Sequence, residues 1–238
     1  NDKFQLHNDT TYTYKNTIGS LTLKHRFNTD LKSTTSLICS LFKYEISNPN
    51  SADYSFMLTH NLADISLIND FEYFTKNRMK YVFGGTFNFY SVNPGERIVL
   101  NNSNITPVSS ANDRALEYGL YGGTEYNVSG NLKLEGGIRL SGLISFDDGK
   151  KYIYANGSPY EDDNIIDTVF SSKNSVGKTY MNPEWRFSAN YSMGRSSSVK
   201  FSYNKTAQYI HMLSNTTAIS PTDTWKLSDT YLLPQTGH

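Results

Sequence analysis

The sequence predicts an all-β protein, an antiparallel up-and-down meander that is part of a large transmembrane β-barrel. Three observations predict it. Apolar and polar side chains alternate with a period of two, short turns and long connections follow one another in strict succession, and aromatic residues cluster near strand ends. Alternation of this kind gives each strand one apolar and one wet face.

Eight strands can be placed in order. The first two, near 16–28 and 33–45, flank the turn "NTDLK" (28–32). The next pair, near 64–75 and 79–91, flanks "TKNR", and a third, near 114–127 and 131–144, flanks "VSGN". In "LKLEGGIRLSG" one face carries Leu132, Leu134, Gly136, Ile138 and Leu140, and the other Lys133, Glu135, Gly137, Arg139 and Ser141. The last pair, near 182–193 and 197–209, flanks "GRSSS". There Trp185, Phe187, Ala189 and Tyr191 oppose Glu184, Arg186, Ser188 and Asn190, while Val199, Phe201 and Tyr203 mark the partner's apolar face. Long connections at 46–63, 92–113 and 145–181, and a long run after Thr206, separate these hairpins. Outer-membrane barrels show this asymmetry, with short periplasmic turns and longer extracellular loops. Phe42, Tyr44, Tyr73, Phe74, Tyr90 and Tyr126 are expected to form the two interfacial aromatic girdles.

Composition narrows the function. Lys plus Arg and Asp plus Glu both number 22, so no net field draws the chain to nucleic acid. No run of roughly 18 apolar residues offers a spanning helix, but closed barrels cross bilayers without one. The lone Cys39 in "SLICSLF" reads as a small apolar strand residue. Two rivals stay open: a small closed barrel with a structural or adhesive role, and a soluble β-sandwich binding module. The stretch "WKLSDTYLLPQTGH" offers no closing strand, so 206–238 is expected to be loop and both chain ends to be cut from a larger barrel.

The motifs "PEWRFSANY", "VKFSYNKTAQYIHMLSN", "SPTDTW" and "LLPQ" resemble the late barrel region of Bacteroidetes TonB-dependent outer-membrane receptors. The branch resembled carries an N-terminal carboxypeptidase-regulatory-like domain. The resemblance is good over 182–235; over 11–144 it consists mainly of strand rhythm and the "YTYKN" stretch. It implies a barrel of 22 strands around a plug, coupled through a TonB box to the inner-membrane motor, of which this chain holds about eight strands. Residues 1–238 would then be one barrel segment without plug or TonB box. The implied role is import of a nutrient solute at the outer membrane. The implied partners are outer-membrane lipid, TonB through the absent plug and a surface lipoprotein, with no cofactor.

Catalytic motifs are missing: there is no G-x-S-x-G, no H-E-x-x-H, no Walker loop and no dinucleotide fingerprint. The chain therefore reads as a non-enzyme. His7, His25, His60, His211 and His238 are scattered, so no metal site is expected. Asp147, Asp148, Glu161, Asp162, Asp163 and Asp167 make an acidic loop without Ca²⁺-binding register, which reads as a solvated surface. The N-x-S/T matches at Asn101, Asn104, Asn156 and Asn215 carry no weight in a bacterial reading. The candidate ligand contacts are Tyr209, His211, Asp223 and Trp225, aromatic and hydrogen-bonding groups on what reads as an extracellular loop. The structural alternative is that they fold that loop against its neighbours. Lys133, Glu135, Arg139, Glu184 and Arg186 are expected to face a solvated interior or a plug.

Overall fold

The computed structural model describes residues 2–5, 10–49, 55–100, 106–109, 112–155, 157, 164–194, 196–213 and 224–238. The eight expected strands are all present: β2 (Thr11–Arg26), β3 (Leu31–Asn48), β4 (Phe56–Phe74), β5 (Met79–Val99), β7 (Asp113–Asn127), β8 (Leu132–Phe146), β11 (Val176–Met193) and β12 (Ser197–Gln208). Short elements join them: β1 (Asp2–Gln5), β6 (Val108–Ser109), β9 (Lys150–Tyr154), β10 (Ile165–Phe170), β13 (Ile210–Leu213), β14 (Thr224–Leu227) and β15 (Gln235–Gly237).

Each long strand pairs antiparallel with its neighbours in the order β1-β2-β3-β4-β5-β7-β8-β11-β12-β15. No ladder joins β2 to β12 among the described residues, as a closed eight-stranded barrel would require. The run after Thr206 is corrected, however. It forms the β13–β14 hairpin and then β15, which pairs with β12 through Thr206↔Gly237, Ala207↔Thr236 and Gln208↔Gln235.

Local chemistry fixes the short turns. Asn28 Oδ1 accepts from the amides of Asp30 and Leu31 at 2.8 and 2.7 Å, closing the β2–β3 turn. Ser129 Oγ does the same for Asn131 and Leu132 between β7 and β8. Antiparallel pairing in chain order places all four short turns on one rim and the longer connections on the other.

Register aligns the apolar faces into one continuous surface. Leu37, Leu67 and Phe87 are opposed in turn, as are Leu120 with Leu140, Ile138 with Trp185, and Ala189 with Phe201. Ile138 is 73% exposed and Leu21 likewise 73%, so this is an outer face and no core. Cys39 lies in it between Leu37 and Leu41. The opposite face carries the ion-paired charges Glu72, Lys80, Glu125, Lys133, Glu135, Arg139 and Glu184. An apolar sheet face backed by a charged one is the transmembrane-barrel arrangement.

The aromatic girdle needs correction. Tyr73 and Tyr126 belong to the outer face, but Tyr90 donates its hydroxyl to Glu117 on the inner face at 3.2 Å, and Tyr44 is buried. The ladder places Phe42 and Phe74 on the inner side as well. Proximity to a strand end does not set the side, because alternation turns every second residue inward.

Candidate functional site

The inner face is laid out in three tiers. Nearest the short turns, cross-strand ion pairs link Glu72 to Lys80 (3.3 Å), Lys80 to Glu125 (2.6 Å) and Glu125 to Lys133 (3.0 Å), and Lys133 pairs along its own strand with Glu135 (2.6 Å). Ser188 donates to Glu135 at 3.2 Å, carrying the chain of contacts from β4 to β11. Sequence alternation had assigned Lys133 and Glu135 to this face, and their partners follow from register.

The middle tier borders an open cavity of about 610 Å³. Tyr121 donates to Asp70, and Arg139 donates to Thr86 at 2.9 Å while its Nε lies 4.0 Å from Glu184. Arg186, Asn204, Lys205 and Thr206 add to the polar lining. Three carboxylates (Asp70, Glu117, Glu184) and two guanidinium groups (Arg139, Arg186) in one wall suit a solvated lumen or a polar partner.

The upper tier is different. Val92, Ala115 and Leu143, on the inner faces of β5, β7 and β8, form a dry patch covered by Tyr209 and Leu227. The segment after β12 turns inward here and lays the β13–β14 hairpin on the wall. Tyr209 is 1% exposed; its hydroxyl lies 2.9 Å from Ser141 Oγ and accepts from Asn182 Nδ2 at 2.9 Å. His211 is buried with Nε2 2.8 Å from Ser228 Oγ, and burial lowers its imidazole below the ordinary value. Lys226 reaches Asp113 at 2.9 Å and Asp229 at 3.3 Å. Burial works against the Lys226 ammonium, but these two carboxylates outweigh it and hold it above its ordinary value. Tyr180 donates to the Asp229 carbonyl at 2.6 Å.

Of the four candidate ligand contacts, the structure brings Tyr209, His211 and Trp225 into one hairpin unit. Tyr209 faces the wall, His211 is buried against Ser228 of its own segment, and Trp225, opposite Met212 in the ladder, is half-buried and packs against the Val92–Ala115–Leu143 cluster. Asp223 lies outside the described residues. Sequence reasoning missed the anchors Ser141, Asn182 and Asp113. A signal existed in the apolar Val92, Ala115 and Leu143 at inner positions, which call for an apolar cover.

A second buried feature lies at the same end. Tyr14, Tyr44 and His60 stack across β2, β3 and β4, with centroids 5.0 and 5.7 Å apart. His60 packs over Gly95, whose φ of +148° marks the bulge where the β4–β5 register shifts. A Cβ at Gly95 would come within 2.9 Å of the His60 ring.

In the acidic loop, Asp148 pairs with Arg114 at 3.3 Å and Asp167 caps the Thr168 amide at 2.8 Å; Glu161, Asp162 and Asp163 lie outside the described residues. Among the described residues, no group of three His, Cys, Asp or Glu side chains is placed to hold a metal ion.

No family model and no curated protein matches the sequence. Solved structures do. The copper transporter OprC superposes with a TM-score of 0.62 at 10% identity, over 84% of this chain and 32% of that one. A double mutant of the Serratia marcescens hemophore receptor HasR, in complex with its hemophore HasA and heme, gives a TM-score of 0.40 at 11% identity, over 87% of this chain and 35% of that one. The chain thus spans about a third of the length of each. The first likeness establishes the fold, a segment of a large β-barrel.

Proposed function

We propose that this chain is part of the barrel of a TonB-dependent outer-membrane receptor that imports a nutrient solute. One observation carries the reading: a meander of long strands with an exposed, largely apolar outer face and an ion-paired inner face. Such a wall stands between lipid and a polar interior. The fold likeness to a copper transporter supports transport over catalysis. The resemblance of 182–235 to Bacteroidetes receptors supports that branch. In this reading the inner tiers meet a plug that couples to TonB, a surface lipoprotein can sit on the long-loop rim, and no cofactor is needed.

The hairpin gives ligand contact a place. Tyr209 holds it to the wall and His211 braces it internally through Ser228, while Trp225 and Asp223 are the groups proposed to meet solute. The test compares solute uptake by cells with and without the protein, before and after collapse of the proton gradient. Uptake that needs both protein and gradient is expected. A protein found outside the outer-membrane fraction, or import indifferent to the gradient, defeats the reading.

A further inference from the structure

At the long-loop end, the β9–β10 ribbon and the β13–β14 hairpin both lie outside the main sheet. The hairpin is seated on the inner wall. The ribbon pairs with no strand of the main sheet among the described residues, and its Ile166, Val169 and Phe170 are exposed. A two-stranded ribbon that buries so little apolar surface is marginal by itself in water. Its order comes from what it leans on.

It leans on the turn that follows β14. Tyr231 donates its hydroxyl to the Tyr152 carbonyl of β9 at 2.6 Å, and its ring meets that of Tyr154 edge-on, with centroids 5.4 Å apart. The turn is stiff. Asp229 Oδ1 accepts from the amides of Tyr231 and Leu232 at 2.7 and 2.8 Å, and the Asp229 amide donates to the Leu232 carbonyl at 3.0 Å. Asp229 is also tied to two other elements: its Oδ2 meets Lys226 of β14 at 3.3 Å, and its carbonyl accepts from Tyr180 of β11 at 2.6 Å. The buried Ser228 beside it donates its amide to the Tyr209 carbonyl at 2.8 Å and lies 2.8 Å from His211 Nε2 through its hydroxyl. Residues 228–232 therefore touch the ribbon, the hairpin and the wall together.

We propose that the turn 228–232 is a latch that couples the β9–β10 ribbon to the β13–β14 hairpin, so that the two seat and release as one unit. A hairpin that leaves the wall carries Asp229 and Tyr231 with it and removes the ribbon's support. A ribbon that lifts pulls on Tyr231, and through the Asp229 turn on Lys226. Such coupling is reciprocal: whatever stabilises one seated part stabilises the other by the same factor. The inference goes beyond the import reading and does not depend on it, because it concerns two parts of one chain.

The test measures amide hydrogen exchange in the full-length protein in detergent. It reads the ribbon (Lys150–Tyr154 and Ile165–Phe170) and the hairpin (Ile210–Leu213 and Thr224–Leu227) against the β3–β4 ladder. Tyr231→Phe keeps the ring and removes the bond to β9. It should raise exchange about fivefold in the ribbon and by the same factor in the hairpin. Tyr180→Phe frees the turn from β11 and leaves the Tyr231 contact with the ribbon in place, and it should loosen both parts equally. A rise confined to the ribbon in the first variant, or to the hairpin in the second, overturns the latch. Unchanged exchange in both variants overturns it too, as does a rise shared by the β3–β4 ladder, since the release would then not be local.

Discussion

Replacing Tyr209 with phenylalanine isolates the polar anchor of the β13–β14 hairpin. The ring still fills its place among Val92, Ala115 and Leu143, so no cavity opens. The hydroxyl is lost, and with it two contacts of 2.9 Å. Ser141, itself 1% exposed, keeps only a 3.5 Å approach to the Asn182 carbonyl, and the Asn182 amide loses this acceptor. At about 1 kcal/mol net per hydrogen bond, docking weakens by about 2 kcal/mol, roughly thirtyfold in the equilibrium. Tyr209→Ala adds the loss of the buried ring, about 3–5 kcal/mol, and releases the hairpin outright. The assay is amide hydrogen exchange of Ile210–Leu213 and Thr224–Leu227, with the β3–β4 ladder as internal reference. Exchange in the hairpin should rise about thirtyfold in the Phe variant while the ladder stays unchanged. Unaltered hairpin protection, or a rise shared equally by β3–β4, would refute the assignment of Tyr209 as a local anchor.

Acid should loosen the same hairpin. Burial lowers the His211 imidazole below its ordinary 6.5, so the stability it contributes is present above that value and is lost as pH falls through the lower folded value. Trp225 emission followed from about pH 8 to about pH 5 should shift, and His211→Gln should flatten the response. Gly84→Ala would drive a Cβ into the Asn69 main-chain oxygen of the neighbouring strand and toward the Tyr121 hydroxyl at 2.8 Å. It should cost about 1–3 kcal/mol by thermal unfolding, whereas Gly122→Ala, facing open space, should cost under about 0.5 kcal/mol. Ile138→Arg puts a charge on the outer face and should reduce membrane insertion by about 2–4 kcal/mol. By contrast, Glu135→Gln on the half-exposed inner face should change stability by less than about 1 kcal/mol.

The errors in strand placement all fall at one end. Toward the short turns, the expected limits 28, 33, 75, 79, 127, 131, 193 and 197 lie within two residues of the observed 26, 31, 74, 79, 127, 132, 193 and 197. Toward the long loops, β4 starts at Phe56 where 64 was expected, β5 ends at Val99 where 91 was expected, and β11 starts at Val176 where 182 was expected. The cause is physical. Lipid enforces apolar alternation only within the hydrocarbon layer, and beyond it strands continue with both faces in water, so the pattern fades before the ladder does. The hairpin was illegible for another reason. β13 and β14 are four residues each, too short for periodicity, and Tyr209 finds Ser141 and Asn182 at sequence separations of 68 and 27.

Those separations give the hairpin a diagnostic value. Its anchors come from four strands: Val92 from β5, Asp113 and Ala115 from β7, Ser141 and Leu143 from β8, and Tyr180 and Asn182 from β11. A one-residue slip of β8 would turn Ser141 and Leu143 to the lipid side and bring Leu140 and Gly142 inward, removing a hydrogen-bond partner and part of the apolar floor together. The hairpin can therefore dock only on a sheet whose central strands are already in register. The inner charges are a weaker check, because their ion pairs are partly exposed and long side chains can find alternative partners. In a wall whose outer face is solvated by lipid and whose lower inner face is solvated by water, this dry patch is where the chain discriminates most sharply between the correct register and its neighbours.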